Sequence, residues 1–258
     1  MDFPQIQPSP ALRPFVSHYW VCTADEDVSQ EVMYPTGHVE LCIDVSQGQT
    51  IRHRRGRGVT APGIEILGHM TVPTTATVTK GTTLLIAKLK PFAGPLFFST
   101  GMTDFTNESV DLKDVLRNEA EIFYDQILHA PTLSRKISIL ETFLVQRLMH
   151  TQKDFRLLNL VEKVCGYICT RDARFSIGEI ASGLGFSERY VQKVFRSWVG
   201  LTPKSFHAVH RFNRSLDLIQ TSNHSLTEIA YACGYYDQAH FIKEFRNFTG
   251  MAPSRVTL

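Results

Sequence analysis

Arg189, Gln192, Lys193 and Arg196 follow one another at intervals of three, one and three residues, which on a helix gathers four long hydrogen-bond donors into one stripe. The opposite stripe, Val191, Val194, Phe195 and Trp198, is apolar at i, i+3, i+4 and i+7, the pattern of a face packed on a core. Such a helix points amide, ammonium and guanidinium groups outward, where they can reach the acceptor edges of base pairs and phosphate oxygens. A second segment has the same build. Phe241, Phe245 and Phe248 form its inward stripe and leave Gln238, Ala239, Ile242, Lys243 and Arg246 outside. An exposed Ile242 beside Lys243 suits contact with a thymine methyl.

The elements that position these residues are written twice. Ser176–Pro203 and Ser225–Pro253 align at an offset of 49, then 50 after one inserted residue, with ten identical positions. Each copy opens on a serine followed three places later by glutamate, Ser176 with Glu179 and Ser225 with Glu228, which is a capping box at a helix start. Each then carries a glycine, Gly185 or Gly234, where a tight turn between helices needs a positive φ. Helix, turn, helix, twice over, predicts two DNA-reading units at about residues 176–198 and 225–248.

The run GFSERYVQKVFRSWVGLTPKSF, then Arg211, Arg214 and Leu216, then GYYDQAHFIKEFRNFTGMAPS, resembles the DNA-binding module of the AraC/XylS family of bacterial transcription regulators. The resemblance covers Phe155 to the C-terminus. It implies that Arg189, Gln192 and Lys193 face bases with Arg196 near the backbone, and that Gln238, Ala239, Ile242 and Lys243 do the same from the second unit. It also implies that a connecting helix over about 203–220 holds the two units about one DNA turn, roughly 34 Å, apart. Thr202-Pro203 and Ala252-Pro253 match the family's small-residue–proline helix start. Ser215 stands where that family usually has alanine and is expected only to soften packing.

Charge divides with the motifs. Residues 151–258 carry 14 Lys and Arg against 9 Asp and Glu, a net +5, whereas residues 1–150 carry 13 against 16, a net −3. Positive charge therefore sits with the repeats, as phosphate neutralisation requires. No run of about 18 apolar residues exists to span a membrane, and MDFPQIQPSP has neither the basic segment nor the apolar core of a signal peptide, so the cytoplasm is the expected location. Five cysteines, Cys22, Cys42, Cys165, Cys169 and Cys233, contain no C-x-x-C and indicate neither a disulfide framework nor a zinc knuckle.

Residues 1–150 read as strands at Phe15–Cys22, Glu31–Tyr34, Val39–Val45, Thr50–Val59, Thr75–Thr79 and Thr82–Leu89, punctuated by glycines. Two helices follow, over Asn118–Ala130 and Thr132–His150, and then a polar linker at 150–154. The expected fold class is two-domain α+β: an N-terminal β-sandwich or barrel with flanking helices over 1–150, and an all-α domain with two helix-turn-helix units over 155–258. PALRPF at 10–15, YPTGHVEL at 34–41, PFAG at 91–94 and Val110-Asp111-Leu112 make the first half similar to sensor domains found ahead of AraC-type modules. A barrel of this size holds one small ligand.

Other chemistry is weighed and set aside. His38 and Glu40 alternate on one strand but lack further ligands at metal-binding spacing, so no metal and no cofactor are expected. The basic run at 52–57 reads as a solvated hairpin. Cys22 and Cys42 lie in apolar strands without an adjacent His or Lys, against a nucleophilic cysteine, and no P-loop, nucleophile elbow or dinucleotide fingerprint is present. The stripe Leu133, Ile137, Leu140, Leu144 and Leu148 fits a dimer seam or, with Ile139 and Phe143 widening it, a face packed on its own sheet. The expected partner is double-stranded DNA, with a small-molecule effector, RNA polymerase and a second copy of the chain as further candidates. The expected activity is regulatory rather than enzymatic; the alternative is a DNA-binding protein whose first half only dimerises or contacts a protein partner.

Overall fold

β-Branched residues alternating with apolar ones, broken by glycine and polar turns, fold the first half into two antiparallel sheets. The computed structural model describes residues 5–46, 48–54, 57–98, 101–170 and 176–255. The strands are β1 (Val16–Thr23), β2 (Val28–Met33), β3 (Val39–Asp44), β4 (Thr50–Arg54), β5 (Arg57–Thr60), β6 (Ile64–Leu67), β7 (Thr74–Val78), β8 (Thr83–Leu89) and β9 (Ser109–Asp111). One sheet runs β1-β8-β3-β6-β9 and the other β2-β7-β4-β5. In the larger sheet Leu41, Ile43, Ile64, Ile66 and Leu85 join the main core, while Cys42, Leu67 and Ile86 make a separate cluster with Trp20 and Cys22, the two-residue period expected of strands covered on both faces.

Ten α-helices follow among the described residues: α1 (Gly94–Phe98), α2 (Leu112–Leu116), α3 (Asn118–His129), α4 (Leu133–His150), α5 (Phe155–Thr170), α6 (Ile177–Gly183), α7 (Glu188–Val199), α8 (Pro203–Thr221), α9 (Leu226–Ala232) and α10 (Gln238–Thr249). A 3₁₀ turn, Met102–Phe105, follows α1. α4 buries Leu140, Phe143 and Leu144, and Phe143 stacks on Phe123 of α3 with ring centroids 4.0 Å apart. Its apolar face is therefore used within its own half.

Several short elements differ from the sequence expectation. Thr50–Val59 is not one strand but a hairpin, β4 paired with β5; its reversal, at 55–56, lies outside the described residues. β6 is four residues long and buried throughout, so it has no alternation to read. β9, α1 and α2 are three to five residues long, shorter than any period that would reveal them.

The two halves are joined by more than the segment at 151–154. One continuous core runs from Leu12 through the strands and α1–α4 into Val191, Phe195, Trp198 and Phe206. Thr106 donates to the Gly200 carbonyl at 3.0 Å, and Asn213 Nδ2 donates to the Pro35 carbonyl at 2.9 Å. Ring contacts add His69 against Phe206, centroids 6.1 Å apart, and Tyr34 against Phe212, 6.2 Å apart. The second unit has its own cluster, Val209, Phe212, Ile229, Tyr235, Phe241, Phe245 and Phe248 among its members.

Candidate nucleic-acid interface

Both units are built from the same local chemistry. Ser176 and Ser225 cap α6 and α9 by accepting from the backbone N–H groups of Glu179 and Glu228, each at 3.3 Å. At Ser225 the reciprocal bond is made too, from its N–H to Glu228 Oε2 at 2.7 Å, completing the box. The turns place Gly185 at φ +76° and Gly234 at φ +74°. Just beyond them the Phe186 and Tyr235 N–H groups each reach back 2.9 Å to the carbonyls of Ala181 and Ala230. The residue inserted in the second copy is thus Tyr236, which stands 86% exposed. Ser187 and Asp237 then cap α7 and α10, and Gly200 and Gly250 end them in the left-handed conformation, at φ +85° and +78°.

Replacing Gly185 or Gly234 by alanine is expected to cost about 1 kcal/mol of stability through backbone strain. Open space surrounds the missing Cβ of Gly185, so steric clash adds nothing there. Urea melts followed by circular dichroism check this; an unchanged midpoint at Gly185→Ala would mean the turn relaxes at no cost.

On α7 the structure leaves Arg189, Gln192, Lys193 and Arg196 exposed while Val191, Val194, Phe195 and Trp198 are buried. Gln192 Nε2 donates to Glu188 Oε1 at 2.7 Å, which holds the amide along the helix. On α10 Ala239, Lys243 and Arg246 are exposed. Gln238 is half-buried, and its amide oxygen accepts from Thr227 Oγ1 at 3.0 Å. Ile242 is half-buried as well, packed against the second unit's cluster, because α10 turns that side chain partly onto its neighbours rather than leaving it fully on the outer stripe.

Sequence reasoning did not anticipate the bracing of the second unit. Arg211 of α8 donates from Nη2 to both carboxylate oxygens of Glu244 of α10, at 2.7 and 2.9 Å, and its guanidinium lies 4.6 Å from the Tyr235 ring centroid. The signal was Glu244 itself, the lone acidic residue of that recognition helix, set beside the apolar stripe rather than on the basic one. Ser215, fully buried, donates to the Phe212 carbonyl at 2.7 Å, so its hydroxyl is satisfied within the helix.

The other candidates resolve into structural roles. Arg52 crosses between the sheets to pair with Glu65, its Nε at 3.0 Å, and Ser109 also donates to Glu65. His38 Nδ1 lies 2.8 Å from the Leu89 carbonyl, and Thr36 donates to Glu40. Burial pushes the Cys22 and Cys42 thiols up, the reverse of what activates a nucleophile. No helix among the described residues is long and apolar enough to cross a membrane.

Two capped helix-turn-helix units on one connecting helix, each with a basic outer stripe, define a DNA-binding module. The comparisons agree: residues 180–257 match the family model described as a helix-turn-helix domain, and residues 4–111 match a domain of unknown function, DUF6597. The C-terminal residues thus carry a helix-turn-helix domain of the AraC type. It is 31% identical over 83 residues to the uncharacterized HTH-type transcriptional regulator YidL of Escherichia coli, 32% of this chain and 28% of that protein. To the arabinose operon regulatory protein of Escherichia coli it is 26% identical over 126 residues, 46% of this chain and 42% of that protein. The matches thus span about a quarter to under half of these relatives' lengths. Among solved structures, ToxT from Vibrio cholerae aligns at 12% identity and a TM-score of 0.47 over 92% of this chain and 95% of its own.

Proposed function

We propose that the chain is a sequence-specific, DNA-binding transcription regulator that acts from the cytoplasm, with residues 155–258 as its reader and residues 1–150 as a domain responsive to a small molecule. The observation that carries this reading is the pair of outward donor stripes on α7 and α10, each held by a capped helix on a packed core. RNA polymerase and a second copy of the chain are further partners in this reading.

The test separates base readers from backbone clamps. With full-length protein on DNA from upstream of its own gene, alanine at Gln192 or Lys193 is expected to cost about 1–3 kcal/mol at the footprinted site and leave binding to random DNA nearly unchanged. Alanine at Arg196 or Arg246 is expected to weaken all sequences and reduce the salt slope by about one unit. Equal losses on both kinds of DNA at Gln192 and Lys193 would refute the assignment of those two residues.

Ion-paired charge occupies the space between the sheets. Arg52 and Glu65 bridge them, and Glu40 faces Lys88 across the ladder from β3 to β8. This favours an effector site elsewhere than the middle of the sandwich.

A further inference from the structure

Apolar packing holds α10 against α8 without fixing its rotation. Phe212 of α8 stacks on Phe248, ring centroids 4.8 Å apart, and meets Phe245 edge-on at 5.4 Å, burial that is favourable over a range of angles. The directional contacts come from Arg211, midway along α8. Its Nη2 donates to both carboxylate oxygens of Glu244 at 2.7 and 2.9 Å, and its Nη1 donates to the Gly234 carbonyl in the turn at 3.5 Å. One side chain thus ties α8 to both the turn and the recognition helix.

The pair is poorly suited to adding stability. Its side chains are only 15% and 18% exposed, so that desolvation offsets much of their attraction. Arg211 Nε is buried with no hydrogen-bond partner among the described residues. The first repeat shows the apolar alternative, because the residue aligned with Glu244 is Val194, which is buried in the main core. Valine serves packing there, and the charge stands in the unit whose core is its own rather than shared with the sheets.

We propose that Arg211 and Glu244 are positioning residues, which fix the rotation of α10 on α8 and thereby set the half-site spacing that the two recognition helices accept. The inference rests on the reading of the chain as a two-unit DNA binder. One base pair inserted between half-sites moves the second by about 3.4 Å along the duplex and about 35° around it. A helix held at one angle rejects the altered site, whereas a helix free to rotate can follow it. Gln238, Lys243 and Arg246 share α10 with Glu244 and turn with it.

Full-length protein carrying Arg211→Met together with Glu244→Val loses both charges at once and gives α10 the residue of the first repeat. It should melt within about 2–4 °C of the parent, because exchanging a buried ion pair for apolar groups is close to neutral. On the site footprinted upstream of the chain's own gene, one base pair added or removed between half-sites should cost the parent about tenfold or more in affinity, and the double variant about threefold or less. Glu244→Gln, which still accepts from Arg211, should keep most of the parent's discrimination. Orientation is read without DNA from spin labels at Ser197→Cys and Asn247→Cys, exposed and equivalent places on α7 and α10, in a Cys22→Ser, Cys169→Ser background. The distance distribution should broaden in the double variant. An unchanged distribution, an undiminished spacing preference, or a far lower melting temperature, which would make the pair merely structural, would each overturn the proposal. A parent with no preferred DNA site would refute the regulatory reading, while the label distances still decide whether the pair orients α10.

Discussion

Gly200→Ala is expected to destabilise the chain by about 3 kcal/mol or more, against about 1 kcal/mol for Gly250→Ala, although the two glycines occupy the same place in the repeat. Both close a recognition helix at positive φ, +85° and +78°, and both would carry the same backbone strain. Only Gly200 meets the other half of the molecule: a Cβ there would come 2.5 Å from the Met102 carbonyl oxygen, whereas at Gly250 it would meet open space. The excess is thus a measure of how tightly the 3₁₀ turn Met102–Phe105 is pressed on the end of α7. Chemical denaturation of the two variants side by side checks it. Equal losses would show that the halves separate freely enough to admit a methyl group.

Acid is expected to weaken the fold steeply between pH 6.5 and about 4. Burial drives His69 and His207 down to about 4, with Arg211 and then His210 adding to the effect at His207, and drives His38 down to about 3. These folded-state values lie below the unfolded value of 6.5, so as pH falls the unfolded chain takes up protons first. The stabilisation is fully present above 6.5 and is lost on descending towards 4. Three such histidines give a slope of about 4 kcal/mol per pH unit near pH 5. His69 shows the physical cause. Its Nε2 lies 3.1 Å from the Pro91 carbonyl, while its Nδ1 is buried without a hydrogen-bond partner among the described residues. Adding a proton would leave a charged N–H facing no acceptor. Urea midpoints across this range test the slope, and His69→Gln, which can still donate to Pro91, should flatten it. A midpoint flat from pH 6.5 to 5 would show that these rings protonate inside the folded protein.

What could be read from the sequence depended on period and on length. The units at 176–198 and 225–248 were legible because a 3.6-residue stripe, a serine cap and a glycine turn agree at each, and the repeat supplies each signal twice. β6 was not, since Ile64–Leu67 buries every residue and has no second face to mark. Nor did the outer stripe of α10 identify its own exceptions, because Ile242 and Gln238 are half-buried by neighbours that periodicity does not see. YPTGHVEL at 34–41 stood out as a motif, yet its work is tertiary: Pro35 accepts from Asn213 and Tyr34 lies edge-on to Phe212. That pairing spans 178 residues, which no local pattern encodes.

The unequal anchoring of the two repeats implies an order of opening. The first unit shares its packed interior with the sheets, whereas the second rests on a nucleus of its own gathered around Phe212. Backbone amides of α9 and α10 should therefore exchange with deuterium through a smaller, sub-global fluctuation, while those of α7 wait for the sandwich itself to open. The protein would then meet DNA with one firm grip and one yielding one, the second able to adjust its fit after the first has taken hold.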